Sequence, residues 1–228
     1  MNSRTKTVLI TGFEPFGGDT RNPSQEIARA LDGRVIAGGR IVGAVLPCAF
    51  GSSVRALRAL IRRERPDVVI ALGLANTRQE ITPERIAINL DDARIRDNAG
   101  RQPADRPVVR GGPAAYWSTL PVKPIVAALA KQGFPASVSH SAGTFVCNHV
   151  FYALLHDVHR SGELRASGSS AKRSTAPAAR RHRGPVAAGF IHVPWPSDAA
   201  ATPRSGIPLV DQIAAIELAA SVSLRGLR

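Results

Sequence analysis

The chain has 228 residues, enough for one large domain or two small ones, and its two cysteines are too few for a disulfide framework. Its formal net charge of +13 raises the question of nucleic acid, but residues 160–184 hold seven of the basic side chains against one acidic side chain. No aromatic residue is interleaved with these charges, as a stacking platform for single strands requires. We therefore predict a solvated, basic, disordered loop of low complexity at about 160–184, and we do not expect nucleic-acid binding.

Apolar β-rich runs alternate with amphipathic segments along the chain. The first run, residues 6–11, predicts a strand that ends at Gly12, and the helix predicted over 22–33 has Ser24 as its N-cap. The remaining predicted elements, in chain order, are a strand at 40–48, a helix at 50–66, a strand at 67–75, a helix at 122–134, a strand at 136–143, a helix at 147–160, a strand at 186–194 and a helix at 209–227. Strands alternating with helices predict a layered α/β domain.

The hydropathy pattern does not indicate a membrane protein. The apolar run before Glu14 is too short for a signal peptide, and the long uncharged stretch 132–156 is interrupted by Pro135, histidines and serines. We expect a cytoplasmic protein with no membrane association.

Cys147 stands where a small apolar segment meets a helix. Helix N-termini favour anions, so a thiol there is expected to have a lowered pKa and to act as a nucleophile. The alternative is a buried structural cysteine, which is the expected role of Cys48. A thiol nucleophile also needs a base: His149 is two residues away and diverges from Cys147 on the helix, whereas His192 lies near the end of the last predicted strand. His192 could equally be a core histidine.

The segment 81–100 follows a buried strand and is dense in polar side chains. Most of them would form ion pairs in a solvated loop, but Ile86, Ile88 and Leu90 alternate and favour a packed strand. An acid at the start of that strand could point inward and orient the base.

The loop after the first strand, "TGFEPFGGDTRNPS", lacks the features of a phosphate-binding loop. Phe13 and Phe16 stand where small residues would be needed. Two phenylalanines at a strand end suit a flat apolar ligand, although they could simply staple the loop.

Six motifs in this order, "TGFEPFGG…NPS", "ITPERIAIN", "DDARIRDN", "STLPVK", "SAGTFVCNH" and "GFIHVP", resemble the pyroglutamyl peptidase I family of cysteine peptidases. The resemblance runs from residue 7 to about 194. It implies one α/β/α sandwich over residues 1–228, with a mixed, largely parallel sheet, and hydrolysis of the amide bond after an N-terminal pyroglutamyl residue of peptides.

The resemblance also assigns roles to residues. It implies Cys147 as nucleophile, His192 as base, Glu84 as orienting acid and Arg94 at the oxyanion. Phe13 and Phe16 are then expected to sandwich the pyrrolidone ring, with Asn22 holding their loop. The expected partners are pyroglutamylated peptides and further copies of the chain in a homo-oligomer, a tetramer as in bacterial relatives, with no metal or other cofactor. Relative to the family, the basic segment at about 160–184 is an insertion. The alternative is a catalytically weak family member or pseudoenzyme whose basic insertion binds a partner or nucleic acid.

Overall fold

The computed structural model describes residues 4–167, 185, 187–198 and 206–227. Eight strands and five helices occur in these ranges. The strands are β1 (Lys6–Phe13), β2 (Val35–Ile36), β3 (Gly39–Leu46), β4 (Val68–Leu74), β5 (Thr82–Pro83), β6 (Ile86–Ile88), β7 (Ala115–Trp117) and β8 (Ala187–Val193). The helices are α1 (Pro23–Leu31), α2 (Ser52–Glu64), α3 (Val122–Lys131), α4 (Val146–Ser167) and α5 (Leu209–Arg225).

Six strands form one mixed sheet in the order β2–β3–β1–β4–β8–β5. The four central strands, β3, β1, β4 and β8, run parallel, and the short edge strands β2 and β5 run antiparallel to their neighbours. Strands β6 and β7 form a separate antiparallel pair. Because the central strands are parallel, their carboxyl ends, at Leu46, Phe13, Leu74 and Val193, lie along one edge of the sheet.

Both faces of the sheet are covered by helices. Ile10 of β1 packs with Ile27 of α1, Ile125 of α3 and Ile216 of α5, whereas Leu9, the preceding residue of β1, packs on the opposite face in the cluster formed by α2 and α4. Successive strand residues point to opposite faces, so a strand buried on both faces must be apolar throughout. This explains the uninterrupted apolar run of β4, and it confirms the predicted α/β fold class.

The predicted strand at 136–143 is wrong. Residues 136 and 139 form only isolated parallel bridges, to Ile81 and Glu84. Ser137 N donates to Ile81 O, and Ser139 N donates to Pro83 O. The bond that should lie between these two would need an N–H on Pro83, which proline lacks. The pairing is therefore interrupted, and the segment forms an irregular connection to α4.

The predicted N-cap of α1 is also shifted. Asn22, not Ser24, is the cap, and its Oδ1 accepts from Ser24 N at 3.0 Å. The Ser24 hydroxyl instead accepts from Phe13 N at 3.0 Å, which joins the start of α1 to the end of β1. This contact requires the close approach of Gly12 to α1, where an added Cβ would lie 2.0 Å from Ser24 O.

The predicted loop at 160–184 lies mostly outside the described residues, and the prediction is wrong for its described part, where helix α4 continues as far as Ser167. The hypothesis that this segment binds a partner or nucleic acid therefore concerns residues that the structure does not describe. Within the described ranges, none of the helices is long and apolar enough to cross a membrane.

Candidate active site

A buried carboxylate joins the ends of two strands at the carboxyl edge of the sheet. Glu84 follows β5, has no exposed surface, and accepts from His192 of β8, with Nδ1 and Oε1 2.7 Å apart. The backbone fixes this geometry, because Glu84 N donates to Phe190 O and Thr82 pairs with His192 in the antiparallel ladder. Glu84 and His192 are therefore held together by main-chain pairing as well as by their own hydrogen bond.

The hydrogen bond also sets the tautomer of the imidazole. Burial by itself would raise the pKa of Glu84, but the hydrogen bond and charge of His192, together with Arg78, bring it below its usual value, so the carboxylate is ionised at neutral pH. An ionised carboxylate only accepts, so Nδ1 of His192 must carry the proton. Nε2 is then free to act as a base.

Cys147 reaches the same place from α4. An added Cβ on Gly73 of β4 would lie 2.8 Å from Cys147 Sγ, and Gly73 is the ladder partner of His192. The missing side chain of Gly73 thus creates the space into which the thiol projects beside the imidazole. The neighbouring Phe190 ring, 4.8 Å from the His192 ring, closes the other side of this space.

The thiol is at the second residue of α4. The bond from His149 N to Phe145 O is the first α-helical one, so the N–H groups of Val146, Cys147 and Asn148 precede the helical hydrogen-bond series and point out of the helix end. Such a group of N–H donors stabilises negative charge on an atom beyond the helix end.

The expectation of a lowered thiol pKa is nevertheless wrong for the resting site. Burial raises the pKa of Cys147 to about 12, and the negative charge of Glu84 acts in the same direction; Arg78 and the backbone N–H of Cys147 oppose this shift without overcoming it. Burial also lowers the pKa of His192, against the effect of Glu84. Both directions favour a neutral thiol beside a neutral imidazole.

Arg78 belongs to this cluster and was not predicted from the sequence. Its guanidinium lies 2.7 Å from Glu84 Oε1 and donates to Ser141 O at 2.9 Å. The loop that carries it, between β4 and β5, has no sequence feature that distinguishes Arg78 from a solvated arginine. The only available signal was its position just beyond the carboxyl end of a buried strand.

Asn148 and His149 hold the neighbouring loop instead of taking part in the triad. Asn148 exchanges hydrogen bonds with Ile88 N and O, and His149 contacts Asp91 through Nδ1 at 2.8 Å and accepts from Gly51 N through Nε2 at 3.0 Å. Both ring nitrogens of His149 are therefore occupied, which agrees with its exclusion as the base. These bonds tie the first turn of α4 to the segment that follows β6.

Phe13 and Phe16 each pack against an aromatic ring that is a near neighbour in sequence of His192 or Cys147. Phe13 is buried with its ring centroid 6.4 Å from that of Phe190, and the Phe16 ring is 5.9 Å from that of Phe145. Asn22 Nδ2 donates to Glu14 O at 3.1 Å within the loop that joins them. Asn98, which the sequence did not single out, donates to Pro15 O and to the Glu14 carboxylate, both at 2.8 Å.

Arg94 does not join the triad in the described structure. It is exposed, and among the described residues it is not one of the groups that contact Glu84 or His192. Its loop is nevertheless fixed near the nucleophile, because Asp92 N donates to Thr144 O at 3.0 Å and the Thr144 hydroxyl donates to Asp92 O at 2.7 Å.

Comparison with known proteins identifies the family of this site. The sequence profile of pyroglutamyl peptidase matches residues 6–169. The chain belongs to the pyroglutamyl peptidase family. It is 51% identical to a pyrrolidone-carboxylate peptidase from Chromobacterium violaceum over 96% of this chain and 93% of that protein. A Bacillus licheniformis protein of the same name is 45% identical over 96% and 92% of the two chains.

Solved structures agree with this assignment. The pyroglutamyl peptidase I of Bacillus amyloliquefaciens superposes with a TM-score of 0.83 at 40% identity, over 96% of this chain and 95% of that chain. The pyrrolidone carboxyl peptidase of Thermococcus litoralis also gives 0.83 at 40% identity, over 97% and 94%. The chain is therefore a hydrolase of the cysteine peptidase class. His192 lies beyond the profile match, but the alignments with these relatives extend over almost the whole chain.

The pH dependence of alkylation tests the protonation state of the nucleophile. Because burial raises the pKa of the Cys147 thiol to about 12, its reaction with iodoacetamide should still be accelerating at pH 9. Mass spectrometry of the Cys147 peptide, with the Cys147→Ser protein as a blank, gives the rate at each pH. A plateau reached below pH 8 would instead mean a thiolate–imidazolium pair.

Proposed function

We propose that the protein removes an N-terminal pyroglutamyl residue from peptides, with Cys147 as nucleophile, His192 as general base and acid, and Glu84 as the orienting acid. The observation that supports these roles most directly is the buried Glu84–His192 pair beside the Cys147 thiol in the space left by Gly73. Covalent catalysis of acyl transfer requires a nucleophile, a base that takes its proton and a carboxylate that orients the base.

Acylation begins with a neutral Cys147 thiol beside a neutral His192 imidazole. Sγ of Cys147 attacks the pyroglutamyl carbonyl carbon while its proton moves to Nε2 of His192, and the Glu84 carboxylate stabilises the imidazolium that forms. Since the charges appear only during the attack, the buried Glu84 carboxylate acts on the imidazolium with little screening by solvent.

The developing oxyanion lies beyond the first turn of α4, where the Cys147 N–H can donate to it. A donor of this kind typically contributes about 3 kcal/mol to transition-state stabilisation. Arg94 is proposed to approach the same oxygen. Its loop is held by Thr144, which lies three residues before Cys147 and whose hydroxyl donates to Asp92 O. His192 then protonates the leaving amine, and a water molecule activated by His192 hydrolyses the thioester.

Substrate selection is proposed to depend on Phe13 and Phe16. Pyroglutamate has no free α-amine, so an enzyme that selects it needs an apolar slot of the right width in place of a charged amine site. The Phe13 ring packs against Phe190, two residues before His192, and the Phe16 ring packs against Phe145, two residues before Cys147. Asn22 and Asn98 fix the loop between them and thereby the width of the slot.

We also propose that the protein works in the cytoplasm as a homo-oligomer. Cys48 and Cys147 are both unpaired thiols, which suits a reducing compartment. The homo-oligomer is what the family resemblance implies, and Trp117 and Val210, about two-thirds exposed, are apolar side chains that a subunit contact would cover. Light scattering on the purified protein should give a mass that is a multiple of 24.1 kDa, and a monomer at micromolar concentration would contradict this.

Replacement of each cysteine by serine tests the nucleophile. Cys147→Ser should abolish release of a fluorophore from a pyroglutamyl amide without unfolding the protein, because a serine hydroxyl there stays protonated and is a weak nucleophile. Cys48→Ser is the matched control, since Cys48 is the other unpaired cysteine and is buried in the core. It should retain turnover and lose only about 1–3 kcal/mol of stability from the buried hydroxyl. Parent-like turnover by Cys147→Ser would refute the assignment.

Replacement of Glu84 by Gln tests the orienting acid through the pH profile. The hydrogen bond and charge of Glu84 raise the pKa of His192, so their loss should lower that pKa further below 6.5. The base must be neutral, so the acid limb of kcat/KM should move to lower pH while kcat falls. A limb that stays in place with unchanged kcat would show that Glu84 is not the orienting acid.

A further inference from the structure

We propose that Arg78 is a positioning residue of the active site, which holds Glu84 against His192 and fixes the segment leading to Cys147. The inference rests on the proposed function, because it assigns Arg78 a role in the same reaction. A positioning role differs from that of a purely structural ion pair, because it predicts the direction in which the pH profile moves when Arg78 is replaced.

The first observation is that Arg78 and His192 share one carboxylate oxygen. Arg78 Nη1 and His192 Nδ1 both lie 2.7 Å from Glu84 Oε1, and Nη1 also donates to Thr82 Oγ1. Two donors to the same oxygen leave the carboxylate little freedom to turn. The imidazole that depends on Glu84 is therefore oriented by Arg78 as well.

The second observation is that the guanidinium spans two loops. Its Nη2 donates to Ser141 O at 2.9 Å, on the irregular segment six residues before Cys147. The same side chain thus connects the acid to the chain that delivers the nucleophile. The planar fork of arginine makes this possible, because its two terminal nitrogens can bond different partners at once. The Arg78 side chain is only 26% exposed, so solvent competes little for these bonds.

The charge of Arg78 acts on all three members of the triad. Its hydrogen bond contributes to the lowered pKa of Glu84, and its positive charge acts to lower the pKa values of His192 and Cys147. Among the described residues, Glu84 and Arg78 are the charged groups that influence His192, and Cys147 is the titratable group that faces it from α4. Glu84 and Arg78 therefore push the pKa of His192 in opposite directions.

Because Glu84 and Arg78 shift the pKa of His192 in opposite directions, their replacement should move the pH profile in opposite directions. Without Arg78, the pKa values of His192 and Glu84 both rise, and the reaction needs a neutral imidazole beside an ionised carboxylate. The acid limb of kcat/KM should therefore move to higher pH in Arg78→Met, whereas it moves to lower pH in Glu84→Gln. A merely structural arginine would lower stability without moving the limb in a defined direction.

The experiment compares Arg78→Met and Arg78→Lys with the parent and with Arg34→Met. Arg34→Met is a suitable control because it removes an ion pair of similar length. Arg34 lies 2.8 Å from the Glu217 carboxylate, near the β2 edge of the sheet. We expect Arg78→Met to lose about 100-fold in kcat with little change in KM, and to show the upward shift of the acid limb. Arg34→Met should match the parent in kcat and in the position of the acid limb.

Arg78→Lys keeps the positive charge but loses the planar guanidinium, whose two terminal nitrogens bond different partners. We expect its acid limb to stay where the parent has it, while kcat falls about tenfold because Ser141 O is no longer held together with Glu84. This variant carries the test even if Arg78→Met does not fold, as judged by its melting transition. Parent-like kcat in Arg78→Lys, or an unshifted acid limb in a folded Arg78→Met, would overturn the proposal.

Alkylation separates this proposal from the proposed function. Arg78 acts to lower the pKa of the Cys147 thiol, so Arg78→Met should react more slowly with iodoacetamide than the parent at pH 9. This measurement needs no turnover. If the parent fails to cleave a pyroglutamyl amide, the proposed function is wrong; if the parent is active and both proteins are alkylated at the same rate, the role of Arg78 is wrong.

Discussion

The ionised carboxylate of Glu84 is the constraint on which the site depends. A carboxylate without exposed surface is stable only if hydrogen bonds and opposite charge replace the water that it has lost, and the unpaired charge would cost several kcal/mol. His192 and Arg78 supply these partners at 2.7 Å each. The same bonds fix the imidazole tautomer, so the requirement that makes the fold tolerate Glu84 also prepares the base.

Close packing decides where the thiol meets that base. Gly73 stands opposite His192 in the β4–β8 ladder, and any larger residue would place a carbon 2.8 Å from Cys147 Sγ and 2.7 Å from the Phe190 ring. The first turn of α4 can therefore approach the sheet closely enough for the thiol to reach the imidazole. His149 and Asp91 hold this turn from the other side, which gives the second histidine candidate, in "CNH", a structural role.

Desolvation dominates the electrostatics of the site. The N-terminus of a helix and the charge of Arg78 favour a thiolate at Cys147, but loss of hydration outweighs both and keeps the resting thiol protonated. The same burial disfavours an imidazolium at His192. Charge is then generated only when substrate is present to receive it, which is consistent with a nucleophile that is selective for one kind of acyl group.

Much of the fold and the family were predictable from the sequence because they depend on local patterns. Continuous apolar runs locate β1, β4 and β8, hydropathy of period 3.6 locates most helices, and the ordered motifs around Glu84, Cys147 and His192 identify the family. The pattern failed at 136–143, where an alternating segment lacks a ladder because its partner is Pro83. It failed again at Ser24, whose hydroxyl is used by the end of β1 instead of by the helix.

Tertiary structure alone decided the contacts between distant segments. The sequence does not indicate that Arg78 bonds Glu84 and Ser141, or that Asn98 holds the loop of Phe16, because each donor is an ordinary polar residue in a loop. Nor could it give the sign of the Cys147 pKa shift, since a helix start predicts a thiolate and only the depth of burial reverses it. Local sequence determines which groups are available; the distance between them and their access to water depend on how the whole chain packs.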